Sequence, residues 1–182
     1  MIALRVIFIT IVLTLLYLFS SVLLTNILCN YNANGSLIKL NNKIIGSKLI
    51  GQSFKSNKYF HNRPSLNDYR NDISGCSNYP YSSEELINAI KKHYKDFLSF
   101  TENEKPDLAQ IAESASGLDP DITYEGALSQ VKRLSKETGL STSAIKDIIN
   151  KKSKSIVFGI VGQKILNVLE LNLELENKYR VN

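Results

Sequence analysis

The chain has 182 residues, with 22 Lys and Arg against 17 Asp and Glu, for a formal charge of +5. Hydrophobic residues make up 43% and charged residues 21%, which excludes a disordered or collagen-like chain, and the length holds one or at most two compact units. The apolar share is uneven: no charged residue falls within residues 6–28, while the remainder reads as a soluble domain.

Residues 6–28 form an apolar run which, at about 1.5 Å of rise per residue, reaches roughly 34 Å as a helix, enough to cross a hydrocarbon core of about 30 Å. A cleaved signal peptide has a shorter apolar core ending in a small-x-small site, so an uncleaved anchor over residues 1–30 is the reading. Leu28, just before Cys29, is too large for a lipid-attachment site. Thr10, Thr14, Ser20, Ser21 and Thr25 permit close approach of, or hydrogen bonds to, a neighbouring helix. Arg5 precedes the run and Lys39, Lys43 and Lys48 follow it, so charge alone does not orient it. A domain of this size translocates regardless of a few lysines, which predicts a short cytoplasmic N-terminus and an extracytoplasmic soluble domain over residues 31–182.

After a polar linker at 30–34, residues 38–54 are rich in Ile and Leu but broken by Gly46 and Gly51, which predicts short strands joined by turns. Residues 62–81 hold Pro64, Gly75 and Pro80 among Asn, Ser and Asp and read as loop. Ser82 and Glu85 have the capping-box spacing and open a helix with the stripe Leu86, Ile90, Tyr94, Phe97 and Leu98. Residues 105–120 are broken by Pro106, Gly117 and Pro120 and read as loop or short strand. A second helix is expected over 124–138 on Ala127, Leu128, Val131 and Leu134, stopped by Gly139, and a third is capped by Ser141 and carried by Ile145, Ile148 and Ile149. Within 164–175, Leu169, Leu171, Leu173 and Leu175 alternate with Glu170, Asn172 and Glu174, the pattern of a half-buried strand. Helices and strands intersperse without a βαβ rhythm, so the fold class is α+β: one N-terminal transmembrane helix followed by a mixed soluble domain.

Candidate chemistry is sparse. Residues 46–53 match the G-x-x-x-x-G-K-[ST] phosphate loop except that Gln52 stands where the phosphate-neutralising lysine belongs, so a tight turn is the plainer reading. His61 and His93 are the chain's two histidines, and neither has Cys or Asp at metal-site spacing, so no metal is expected. His93, in a Lys-rich helix, reads as a surface residue; two cysteines, Cys29 and Cys76, do not decide the redox compartment, and no spacing rule supports a disulfide between them over two free thiols. No G-x-S-x-G elbow occurs, and Cys76 reads as a loop residue. Asp119 and Asp121 flank Pro120 as a turn, with Thr123 as the cap of the next helix. The helix pair at 124–152 with Lys146, Lys151, Lys152 and Lys154 has the outline of a helix-turn-helix, and a membrane-anchored DNA-binding regulator is the alternative reading. An external body excludes it, and Glu125, Glu137 and Asp147 dilute the charge.

Six blocks carry a resemblance taken together: GSKLIGQSF at 46–54, YFHNRPS at 59–65, SGCSN at 74–78, SASGLDPDIT at 114–123, the 130–133 helix segment and NVLELNLEL at 167–175. In this order and spacing, with one N-terminal anchor, the chain resembles the C chain of the Kdp-type potassium-transporting ATPases over nearly its whole length. It departs from that family at Cys76, where a second Gly is usual, at Tyr79, Pro80 and Tyr81, where Leu-Gly-Pro is usual, and at Lys164, which replaces a common Pro. The resemblance implies a non-catalytic subunit of an ATP-driven potassium uptake pump, with the ion path in the A chain and the phosphorylated aspartate in the B chain as partners. The family's C chain is described as assembling and stabilising those chains, and as a catalytic chaperone that raises the B chain's affinity for ATP. No cofactor is expected in this chain by itself, since ATP enters only with the B chain, and no nucleic acid. The candidate partner-contact or family-motif residues that the resemblance marks are Gly46, Ser47, Gly51, Gln52, Arg63, Pro64, Ser65, Ser77, Asn78, Ser116, Gly117, Asp119 and Asn172, with Arg63 and Asn78 equally able to cap their own turns.

Overall fold

A computed structural model describes residues 1–101, 105–153 and 162–181. The chain divides into two compact units, Met1–Ser47 and Lys48–Asn182. The α+β class expected from the pattern is what the structure has: one long apolar helix followed by helices and two small antiparallel ladders.

In the smaller unit, α1 (Ile2–Leu28) is long and apolar enough to cross a membrane, and none of its residues is buried. Its hydroxyls bond back to the preceding turn: Thr10 and Thr14 donate to the Val6 and Thr10 carbonyls at 2.9 and 2.8 Å, and Ser21 and Thr25 to those of Tyr17 and Ser21 at 2.7 and 2.8 Å. No hydroxyl among these four is left unbonded on an apolar surface. The expected linker is a short helix, α2 (Asn30–Ala33). The strands β1 (Leu37–Leu40) and β2 (Lys43–Ser47) pair antiparallel through a two-residue turn. Asn41 and Asn42 both take positive φ there, 50° and 61°, as such hairpin turns require.

In the larger unit, α3 (Glu84–Phe100) starts one residue later than expected: the Ser83 hydroxyl, not that of Ser82, accepts from the Leu86 amide at 3.1 Å. Leu86, Ile90, Phe97 and Leu98 of the predicted stripe are buried or half-buried, while Tyr94 is exposed and the half-buried His93 stands beside them, its Nδ1 donating to the Ile111 carbonyl at 3.2 Å. A single helical turn, α4 (Leu108–Ile111), interrupts the expected loop. β3 (Asp121–Thr123) leads into α5 (Tyr124–Leu128), whose N-terminus is capped by the Thr123 hydroxyl.

The helix expected over 124–138 is broken at Ser129 and Gln130. The Ser129 hydroxyl bonds back to the Gly126 carbonyl at 2.9 Å and the Gln130 amide to Ala127, three residues back, which tightens the turn before α6 (Val131–Thr138). Gly139, at φ 75°, ends α6, and Ser141 caps α7 (Thr142–Lys152), as the sequence indicates.

The strand expected over 164–175 is corrected. β4 (Ile165–Asn167) pairs with β3 in the register Asp121 to Asn167 and Thr123 to Ile165, and α8 (Val168–Val181) follows at once. Val168, Leu171, Asn172 and Leu175 are buried at i, i+3, i+4 and i+7, a helical spacing that Leu alternation disguised because Asn172 is polar. The core lies among β3, β4 and α5 to α8, around Ile122, Leu134, Ile145, Ile149, Leu166 and Leu171.

Candidate functional site

Residues 57–61 pair with no strand among the described residues; the side chains of Gln130, just before α6, of Arg133 in α6 and of Asn172 in α8 take the place of one. The Asn172 Oδ1 accepts from the Phe60 amide at 2.7 Å and its Nδ2 donates to the Phe60 carbonyl at 3.0 Å. The Gln130 side chain grips the next residue in the same way, accepting from the His61 amide at 2.8 Å and donating to its carbonyl at 3.1 Å. Each primary amide thereby satisfies both backbone groups of one buried or half-buried residue. Arg133 completes the clamp, donating to the Asn57 carbonyl, to that of Tyr59 at 2.9 Å and to the Gln130 Oε1 at 2.9 Å. Its guanidinium also lies 4.2 Å from the centre of the Phe100 ring, on which His61 stacks at 4.3 Å.

Electrostatics keep this strap in one state at neutral pH. Burial pulls the His61 pKa down to about 4, outweighing its bond to the Ser56 carbonyl, with Arg133 opposing a second positive charge, so the imidazole is neutral. Burial also lowers Arg133, to about 10, which leaves it charged.

A second knot joins three loops. Arg63 pairs with Asp119 at 3.0 Å and donates to the Glu113 carbonyl at 3.2 Å. The Ser65 hydroxyl donates to the Gly117 carbonyl at 2.7 Å, the Gly51 amide to that of Leu118 at 2.8 Å, and the Ser114 amide to that of Pro64 at 3.2 Å. The Tyr69 hydroxyl donates to the Arg63 carbonyl; burial and the nearby Asp119 charge push its pKa up, so it stays a donor. Two glycines are sterically required. A Cβ on Gly51 would stand 2.6 Å from the Asp119 carbonyl oxygen, and Gly117, at φ 68°, would place one 2.8 Å from that of Gly75.

The marked motif residues therefore gather in part. Gly51, Arg63, Pro64, Ser65, Gly117 and Asp119 meet in the knot; Ser116 joins it to the 74–78 loop by accepting from the Gly75 amide at 2.9 Å. In that loop the Ser77 amide faces the Glu113 carboxylate at 3.4 Å and the Asn78 side chain turns back to the Cys76 carbonyl at 3.1 Å. Gln52 offers its carbonyl to Asn62 at 2.7 Å, while Asn172 belongs to the strap clamp. Gly46 and Ser47 lie in β2 of the smaller unit, Gly46 opposite Ile38 and Ser47 bonded to the Gly35 carbonyl at 2.7 Å. Gln130 and Arg133 were not singled out as site residues. Their signal was present: Gln130 falls on the stripe of Ala127, Val131 and Leu134, a core position filled by a polar residue.

The resemblance to a phosphate loop does not survive in the backbone, since Gly46 is a strand residue and the Gly51 amide is already bonded. No group of three His, Cys, Asp or Glu side chains comes together for a metal among the described residues. Of the basic run in the helix pair, Lys151 and Lys152 lie 2.9 and 3.4 Å from Glu174, and their bonds hold that carboxyl below its usual range. Lys146 is exposed, and Lys154 lies outside the described residues.

The chain thus joins one apolar helix of membrane-crossing length and composition, the mark of a single-pass membrane protein, to an α+β domain whose polar side chains bind its own loops. The family model described as "K+-transporting ATPase, c chain" (KdpC) matches residues 1–177. The chain is similar to the potassium-transporting ATPase KdpC subunit of Bacillus cytotoxicus, at 42% identity over 81% of this chain and 78% of the relative. It is also similar to those of Caldanaerobacter subterraneus, at 36% over 91% and 87%, and Staphylococcus aureus, at 40% over 79% and 78%. The chain belongs to the KdpC family.

Proposed function

We propose that the chain is the non-catalytic subunit of a high-affinity, ATP-driven potassium uptake complex, and that it assembles and stabilises the ion-translocating A chain and the P-type ATPase B chain. The soluble domain lies outside the cytoplasm in this reading. The observation that carries it is the use of the motif residues: in a chain matched by the family model over residues 1–177, Arg63, Ser65, Gly117, Asp119 and Asn172 fix loops in place rather than converge on an open cleft. Loops fixed beforehand lose little entropy on docking, which suits an assembly surface. Raising the B chain's affinity for ATP ranks second, because an external domain does not meet cytoplasmic nucleotide.

Omitting this chain from co-expression with the A and B chains tests the assembly role. Loss of the intact complex from detergent extracts supports it; an intact, equally thermostable A–B complex refutes it. Orientation is tested with Tyr81→Cys in a Cys29→Ser, Cys76→Ser background, since Tyr81 is 96% exposed. Labelling by a membrane-impermeant maleimide on intact cells supports an external domain, and protection until lysis refutes it.

A further inference from the structure

The hairpin of the smaller unit lacks a core. Of residues 1–47, Ser36 alone is buried, while Leu37, Leu40 and Ile44 stay 39%, 36% and 53% exposed. A two-stranded hairpin without a packed face is marginal in water, so something covers this one.

Three observations say what. First, the hairpin is tied to the membrane-length helix through a short link that is bonded along its length. The Ala33 and Asn34 amides donate to the Cys29 and Asn30 carbonyls, the Tyr31 hydroxyl reaches the Ser36 carbonyl at 3.1 Å, and the Ser47 hydroxyl reaches Gly35. The four residues of α2 rise at most roughly 6 Å, so Gly35 and Ser36, at φ 79° and 48°, turn the chain while it is still within the interfacial layer.

Second, the ladder puts apolar and cationic residues on both faces. Leu37, Lys39 and Ile44 share one face and Ile38, Leu40 and Lys43 the other. A hairpin packed on protein by one face separates the two kinds. One immersed in a layer that is apolar below and polar above does not, because lysine stems lie along apolar surface while their ammonium groups reach up. Third, residues 1–67 contain no Asp or Glu, so Lys39 and Lys43 act without local anions, complementary to lipid phosphates. Tyr31, 51% exposed, adds an aromatic of the kind that sits at this level.

We propose that hairpin β1–β2 lies in the headgroup–acyl boundary of the bilayer, with Leu37, Leu40 and Ile44 at the acyl edge and Lys39 and Lys43 on anionic lipid headgroups. This rests on α1 crossing the bilayer and not on the assembly role.

The chain has no tryptophan, so one can be introduced as a sole reporter. The full chain carrying Ile44→Trp, and separately Leu40→Trp, is reconstituted into phosphatidylglycerol–phosphatidylcholine vesicles whose acyl chains are brominated near the headgroup or near the chain end. Both variants lose most of their emission to shallow bromine and less to deep bromine. Adding Lys39→Glu and Lys43→Glu weakens the quenching. Leu16→Trp, quenched from the deep position, reports separately that α1 spans. Emission at 40 and 44 that bromine leaves untouched while Leu16→Trp is quenched overturns the proposal, whether it resembles emission in water or beneath a protein surface.

Discussion

Replacing Asn172 by alanine strands both backbone groups of Phe60. Phe60 and Asn172 as whole residues are 0% and 2% exposed, so water does not reach the freed amide and carbonyl unless the strap moves. Each unsatisfied buried group costs about 1–3 kcal/mol, and partial opening of residues 57–61 relieves some of that, so the loss is about 3 kcal/mol. Against a typical stability of about 5–15 kcal/mol this is severe. Asn172→Asp falls equally, because it keeps the acceptor for the Phe60 amide but sets a carboxylate oxygen against the Phe60 carbonyl. Urea denaturation of the full chain in micelles, followed by tyrosine near-ultraviolet dichroism, measures the loss, and hydrogen exchange at the Phe60 amide locates it. Gln130→Ala acts on the adjoining residue of the same strap, so the double variant loses less than the two single losses added together, by about 1 kcal/mol or more. An Asn172→Ala change below about 0.5 kcal/mol, within the range of ordinary surface substitutions, refutes the clamp.

Gly51→Ala drives a methyl into the Asp119 carbonyl and the Tyr69 ring and destabilises the domain by about 1–3 kcal/mol, read as a lower urea midpoint. His61 takes up its proton near pH 6.5 when unfolded and near 4 when folded, so the unfolded state binds the extra proton between these values. The stability is complete above about pH 6.5 and falls as pH drops towards 4, by up to about 3 kcal/mol; His61→Gln flattens that slope. Arg63→Ala and Asp119→Ala each loosen the knot, so both lower the melting temperature and raise proteolysis within residues 112–119. A normal melt for Arg63→Ala joined with loss of the A and B chains on purification would instead assign its guanidinium to a partner.

Elements whose signals are local were legible in the sequence. The long apolar helix α1 needs only length and the absence of charge; Gly139 and the caps at Thr123 and Ser141 act within a turn. The failures lie where a polar residue faces the core. Asn172 counted as an outward residue turns four leucines into a strand, whereas counted as inward it completes the helical spacing of Val168, Leu171 and Leu175. The break at Ser129 and Gln130 was hidden likewise, because the Gln130 side chain serves a loop about seventy residues away in sequence. Arg63 shows the limit for the site: its type fits an interface, yet its partner Asp119 lies 56 residues along the chain, and no spacing rule connects them.

Those long-range polar contacts also explain how an α+β domain with so little sheet holds its loops. Among the described residues its one ladder is the three-residue β3–β4 pair, which leaves residues 57–61 without backbone pairing. Gln130 at the N-terminal cap of α6, Arg133 in α6 and Asn172 in α8 hold that strap instead, and because each is itself packed in the core, at 0%, 3% and 2% exposure, the strap inherits the rigidity of the helices. The loop tip at Tyr79, Pro80 and Tyr81 lies outside that strap and is exposed, with Tyr79 at 43% and Tyr81 at 96%, so its side chains are free to vary. Exchanging those three for Leu-Gly-Pro therefore leaves the urea midpoint of the domain unchanged within about 0.5 kcal/mol. A larger loss would mean that the loop tips, not the helix-rooted clamps, hold the surface together.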